Sequence, residues 1–144
     1  MSITVQWDDA TYTVLRYTYT TRWTWADYEA AVTSAGVMVK ADAQTNQLVD
    51  VIADFSQSAM LPDHALANFR RSLQSQNAIA FGVTVLVTHN QFMRSMIEVF
   101  GRLNRQVNNR LRVANSLEEA RMIIANIRAS TNRDLTASAE TPST

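Results

Sequence analysis

The stretch from Leu48 to Leu66, LVDVIADFSQSAMLPDHAL, constrains the fold of this chain more than any other. Leu48 to Phe55 is nearly continuous in apolar residues, which fits a central strand covered on both faces. Asp50 and Asp54 interrupt it. A short loop follows, and Pro62 suits the first turn of a helix. Strand, loop and helix start, in that order, describe a unit of an open α/β sheet. Such sheets place their binding edges at the carboxyl ends of the strands.

The rest of the chain repeats that unit. Ile3, Val5 and Trp7 alternate with Thr4 and Gln6, the period of a half-buried strand. Asp8 to Ala10 reads as a short turn into a second strand, Thr11 to about Tyr19, rich in Thr, Tyr and Val. Alternation slips at Val14-Leu15, which predicts burial on both faces or a bulge there. The short connection makes the pair an antiparallel hairpin. Thr24, with Asp27 three residues on, caps a helix whose apolar residues recur at Trp25, Tyr28, Val32, Ala35 and Val39. A second helix carries Leu66, Phe69 and Leu73 and runs to about Gln76. Phe81 to Thr88 is a further buried strand, with Val83, Val85 and Val87 on one face and Leu86 on the other. Asn90 caps a third helix from Gln91 to about Asn108. Leu111 to Ala114 is a short strand. Ser116 and Glu119 form a capping box for a fourth helix, whose inner face is Leu117, Ala120, Ile123, Ile124 and Ile127.

The fold expected is therefore α/β: a mixed, mostly parallel five-stranded sheet with four helices, in the order ββαβαβαβα. One domain over residues 1–129 is expected, followed by a disordered Ser/Thr/Ala-rich tail over 130–144. Composition agrees with one self-sufficient core. The 144 residues are 47% hydrophobic and 18% charged, with a formal net charge of zero. Zero net charge gives no bulk attraction to nucleic acid or to an anionic membrane. There is no cysteine, so disulfides, thiolate nucleophiles and Cys-based zinc sites are excluded. The N-terminus lacks the basic and apolar regions of a signal peptide, and no apolar run approaches a membrane span. A cytoplasmic protein without a membrane span is expected.

Three sets of residues are candidates for function. The first is Asp54, Ser56, Asp63, His64, Thr88 and His89, with Asn90. Each follows the carboxyl end of a parallel strand or opens the next helix, so topology gathers them at one edge. An acid–base pairing would set His89 against Asp54. The plainer reading, that caps and loop residues satisfy orphan backbone donors, is preferred, and catalytic residues and a metal site are not expected. The second set is Phe92, Met93, Met96 and Phe100 on the third helix. Met- and Phe-rich faces adapt to ligands or partners. Ordinary core packing is the preferred reading of this one also. The apolar face is wider than one sheet contact needs, and a homodimer would hide any uncovered part. The third set is Arg94, Arg102, Arg105, Arg110, Arg112 and Arg121. No groove-reading motif accompanies these arginines, and a solvated helix face is expected rather than nucleic-acid binding. The three glycines are isolated, so no loop cradles a phosphate.

The Trp-led first helix WTWADYEAAV (Trp23 to Val32), the strand VDVIADFS (Val49 to Ser56) and the closing LRVANSLEEARMII (Leu111 to Ile124) resemble the STAS domains, and among them the SpoIIAA-like branch. The resemblance covers roughly Ile3 to Asn126. It implies a non-catalytic regulatory module that works through protein–protein interaction. In phospho-regulated members, a Ser opening the helix after the central strand is switched by a partner kinase. Here that stretch is Leu61-Pro62-Asp63-His64-Ala65, which holds no hydroxyl. Asp63 places a fixed negative charge at the expected helix N-terminus instead. Phosphorylation at the family position is thus not expected, and Ser56 and Ser58 are the other candidates in the loop. The branch is also likened to the CRAL-TRIO lipid-binding fold, which implies an alternative: a small apolar, lipid-like ligand between the sheet and the helix 91–108. No cofactor is implied. The expected partner is another protein or a second copy of this chain.

Overall fold

The computed structural model describes residues 2–20, 22–42, 48–58, 64, 67–68, 81–103 and 111–140. Five strands form one sheet in the order β1-β2-β3-β4-β5: β1 Ile3–Trp7, β2 Val14–Tyr19, β3 Val49–Asp54, β4 Phe81–Val87 and β5 Leu111–Ala114. β1 runs antiparallel to β2, and the other three pairings are parallel. The α/β class and the mixed five-stranded sheet are as the pattern predicts. Three helices are described: α1 Trp25–Asp42, α2 Gln91–Leu103 and α3 Leu117–Glu140. The helix expected between β3 and β4 lies outside the described residues, apart from Ala67 and Asn68, which are helical.

Consecutive parallel strands sit side by side, so crossovers of one hand put their helices on one face. On that face α1 and α2 cover Leu15, Tyr17, Tyr19, Val49, Val51, Ala53 and Leu86 with Ala31, Ala35, Met93 and Ile97. Among the described residues the other face is covered by α3, with Ala120 and Ile124 packed on Val14, Ile52, Val83, Val85 and Val87. Val14 and Leu15 are both buried, one on each face, which accounts for the broken alternation there. All six residues of β3 are buried, as befits the middle strand.

Two boundaries differ from the sequence reading. β2 begins at Val14, because the Asp9 carboxylate accepts hydrogen bonds from the amides of Thr13 (2.9 Å) and Val14 (3.0 Å) and holds the chain in a loop up to that point. Tyr12 in that loop has φ of 57°, outside any strand conformation. α3 continues to Glu140, through most of the stretch expected to be a disordered tail. Residues 130–140 hold no Gly or Pro, and the first helix breaker is Pro142. The helix caps match their signatures. At α1, Thr24 Oγ1 accepts from Asp27 N–H (3.1 Å) while Asp27 Oδ2 accepts from Thr24 N–H (2.9 Å). At α3, Ser116 Oγ accepts from Glu119 N–H (3.1 Å), and Glu119 Oε2 reaches back to the amide of Asn115 (3.2 Å).

Candidate functional site

The carboxyl edge of the sheet gathers the ends of β3 and β4, as their order requires. Asp54 is the last residue of β3 and is buried, 5% exposed. Its Oδ1 accepts hydrogen bonds from the Ser56 amide (2.9 Å) and the Ser56 hydroxyl (2.6 Å). This is an Asx-type turn, in which a short carboxylate closes the loop that leaves the strand. Thr88 is 1% exposed. Its hydroxyl donates to Met93 Sδ (3.6 Å) and accepts from the Asn90 amide (3.0 Å). Asn90 caps α2, its Oδ1 accepting from Phe92 N–H (2.8 Å) and Met93 N–H (3.4 Å). Backbone bonds from Phe55 N–H to Val87 O (2.8 Å) and from Thr88 N–H to Ala114 O (3.1 Å) carry the sheet pairing out to this edge.

Asp54, Ser56, Thr88 and Asn90 are thus brought together at one edge, and each is engaged in local structure. His89 is exposed there, and no hydrogen bond joins it to Asp54 among the described residues. His64 is exposed, has φ of 61°, and its carbonyl accepts from the amide and the Nδ2 of Asn68 (both 3.0 Å). Asp63 and Pro62 lie outside the described residues. Ser58 N–H donates to Phe55 O, and Ser58 Oγ accepts from Trp23 Nε1 (3.1 Å). Among the described residues no three His, Cys, Asp or Glu side chains group closely enough to hold a metal ion.

An aromatic cluster that the sequence reading did not pick out fixes this edge. Tyr19 stacks on Phe55 with ring centres 4.0 Å apart. Trp23 meets Tyr19 edge-on at 5.1 Å and Trp25 at the same distance. Tyr28 completes the set against Trp25 at 5.7 Å. Tyr19, Trp23 and Phe55 are buried, and burial pushes the phenols of Tyr17 and Tyr19 well up from their ordinary range. The signal was present as Tyr17 and Tyr19 two apart on a strand, followed by Trp23, Trp25 and Tyr28. Read separately as a strand and a helix stripe, the two halves conceal that they meet.

The Met- and Phe-rich face of α2 divides in two. Met93, Met96 and Ile97 are buried, at 2%, 7% and 8% exposure. Phe92 is 66% and Val99 49% exposed. Phe100 lies in α2, but its side chain is outside the described set. The width of the apolar face, noted in the sequence, therefore reflects a part that the sheet does not cover.

At the opposite, amino edge one arginine of the third set, Arg121, is exposed yet ion-paired. Arg121 clamps Asp8 through Nε (2.9 Å) and Nη2 (2.8 Å), and Arg16 joins the same carboxylate (2.6 Å). Arg121's hydrogen bonds hold the Asp8 carboxyl below its ordinary range, against the opposing effect of burial. Arg128 donates from Nε to Asp50 Oδ2 (2.7 Å), from Nη1 to Thr13 Oγ1 (2.9 Å) and from Nη2 to Thr13 O (2.8 Å). Asp50 Oδ1 accepts from the Val83 amide (2.7 Å) where β4 bulges between its pairings of Phe81 with Val49 and Thr84 with Val51. Arg94 bonds Asn115. Arg102 is exposed, and Arg105 and Arg110 lie outside the described residues. The sequence signal for Arg128 was Asp50 itself, since a charge inside a central strand requires a partner.

No family model matches the chain, and no curated protein or solved structure shows significant similarity to it. No helix among the described residues is long and apolar enough to cross a membrane.

Proposed function

We propose that this chain is a non-catalytic, STAS-like regulatory module of the SpoIIAA-like kind, acting through protein–protein contact at the carboxyl edge of its sheet. The observation that supports this reading is the division of labour at that edge. Asp54, Thr88 and Asn90 are spent on closing loops and capping α2, while His89 and the large apolar side chain of Phe92 are among the residues that face outward. A buried carboxylate satisfied by its own loop is a structural group. An exposed aromatic at the mouth of a sheet edge is a contact group. The reading carries no phosphoserine switch at the family position, where Leu61 to Ala65 lack a hydroxyl. Ser58, whose Oγ accepts from Trp23 Nε1, would have to leave the aromatic cluster to be modified.

A small apolar ligand between the sheet and α2 is the second reading. It requires Met93 and Ile97 to move, because both already pack in the core under α2. An enzyme built on Asp54 and His89 ranks below it, since Ser56 rather than His89 engages the carboxylate.

Photo-crosslinking from position 92 tests the proposal. A photoreactive phenylalanine at Phe92, in cells that express the chain, is expected to give a discrete protein adduct. The same group at Met122, 64% exposed on α3 over the other face of the sheet, is expected to give none. Equal labelling at both positions, or no protein adduct at 92, would count against a partner-binding role.

A further inference from the structure

We propose that the outer edge of β1, over Val5 to Trp7, takes up an extended peptide segment of a partner protein as a sixth strand of the sheet. This surface is separate from the carboxyl edge.

The ladder between β1 and β2 fixes which backbone groups face outward. Thr20 N–H donates to Ser2 O (2.9 Å) at one end of the hairpin, and Asp8 N–H donates to Val14 O (2.8 Å) at the other. With the register of Thr4 on Thr18 and Gln6 on Arg16, the even residues of β1 bond to β2. Bonded and non-bonded pairs alternate in an antiparallel ladder, so the N–H and C=O of Ile3, Val5 and Trp7 point away from the sheet. Among the described residues no hydrogen bond reaches these groups. Ile3 is buried, whereas Val5 and Trp7 are half-buried, so the accessible run is Val5 to Trp7. Two donors and two acceptors at strand spacing are matched by the backbone of another strand.

Nothing in β1 blunts this edge. Its sequence, ITVQW, holds no charge, Pro or Gly, the usual devices against strand addition. The opposite edge strand, β5, is four residues long and carries Arg112. A second copy of this chain does not fit at β1. Of the strands, α1 lies closest to β1, tied there by Trp7 Nε1 donating to Asp42 Oδ2 (2.9 Å). Pairing β1 with itself would bring the two α1 helices to about 5 Å, the spacing of neighbouring strands, where packed helices need roughly 8–10 Å. A bare peptide strand brings no such helix.

The flanking side chains define the peptide. On the α1 side, Val5 and Trp7 pack at the margin of the core. Tyr12, 45% exposed, meets Trp7 edge-on at 5.5 Å. On the other side Thr4 and Gln6 are exposed. The added strand therefore alternates apolar residues, set beside Val5 and the Trp7–Tyr12 pair, with polar ones.

The test reads amide hydrogen exchange by NMR in the full chain, free and with peptides selected on it from a random phage-displayed library. In the free chain the Val5 and Trp7 amides are expected to exchange fast and those of Thr4 and Gln6 slowly. Selected peptides are expected to alternate apolar and polar residues and to slow the Val5 and Trp7 amides by roughly tenfold or more, as a new backbone hydrogen bond does. Val5→Pro removes an outward donor at a place where an edge strand tolerates proline, and is expected to weaken peptide binding by about tenfold or more. Val5→Thr keeps the donor and is expected to bind as the native chain does. Slow exchange of Val5 in the free chain overturns the proposal, because the edge would already be covered. Protection that grows with the concentration of the chain alone overturns it in favour of self-pairing. A library that yields no binder, or binders that leave the Val5 and Trp7 amides unchanged, overturns it as well. The exchange measurement decides even where Val5→Pro fails to fold.

Discussion

Asp50 shows what a single residue demands of the chain around it. It sits in the middle strand, 8% exposed, with both carboxylate oxygens engaged. One oxygen takes the Val83 amide that the β4 bulge frees, and the other takes the Arg128 guanidinium. Gly82 makes this possible, since a Cβ there would overlap Asp50 Oδ1. Gly82→Ala is accordingly expected to destabilise the fold by about 2–3 kcal/mol, as overpacking at a backbone contact does, measured by urea denaturation. Arg128→Met removes the partner of a mostly buried carboxylate. Fully buried pairs lose about 3–5 kcal/mol on such a change, and the partial exposure of Arg128, 37%, reduces this to roughly 2–3 kcal/mol. Asp50→Asn in the Arg128→Met background is expected to recover part of the loss, because a neutral amide is less costly to bury. At the neighbouring loop, burial raises the Asp9 carboxyl, but hydrogen bonds from Thr11, Thr13 and Val14 outweigh it and bring the carboxyl down to about 2. A folded-state value below the unfolded one gives stability that is complete above about pH 4 and is lost as pH falls toward 2. Asp9→Asn is expected to lower stability at neutral pH and to flatten that part of the acid-unfolding profile. An unchanged acid slope in the variant would mean that the loop hydrogen bonds do not favour the carboxylate.

At the scale of elements, the signals that could be read were local and periodic. Ser116 with Glu119, Thr24 with Asp27 and Asn90 announced three helix starts, and each cap forms. The valines of β4 fell on one face, as a period of two requires. Signals that depend on side-chain geometry, or on contact between distant segments, were harder to see. The β2 start moved to Val14 because Asp9 caps amides four and five residues ahead, a choice that composition does not reveal. α3 passed the expected stop near Ser130 because small polar residues without Gly or Pro leave a helix free to continue. The aromatic cluster is the clearest case, since it joins β2, the start of α1 and the exit of β3 across more than thirty residues. Its cohesion can be tested directly. Trp23→Phe keeps an aromatic ring but loses both the donor to Ser58 and part of the buried volume, and is expected to cost about 2 kcal/mol. Phe55→Ala opens a cavity under Tyr19 and is expected to cost about 3–5 kcal/mol. Near-UV circular dichroism should lose the coupled aromatic signal in Phe55→Ala while the helical signal persists at low temperature. A retained near-UV band would mean that the rings are not packed as a unit.

For the whole molecule, the location of the candidate site was legible and its chemistry was not. Strand order alone brings Asp54, Ser56, Thr88 and His89 to one edge. Whether a polar residue at such an edge acts on a ligand or closes a loop depends on hydrogen bonds a few ångströms long. Asp54 and Thr88 turn out to close loops. In the second candidate set, the sequence could show that the apolar face of α2 was too wide but not which edge of it stays uncovered. The structure leaves Phe92 and Val99 outside and Met93, Met96 and Ile97 within. The two ends of the sheet are thus unlike. The amino edge is held by Arg121 and Arg128 on Asp8 and Asp50, and the carboxyl edge presents His89 and Phe92 beside a buried aromatic cluster. The proposed role requires that this chain hold a protein and not a small apolar molecule. Native mass spectrometry of the purified full chain tests it most directly. The bare polypeptide at 16.2 kDa, or twice that mass, with nothing retained, is the expected result. A stoichiometric adduct of fatty-acid or lipid mass, carried through purification and lost on unfolding, would contradict it.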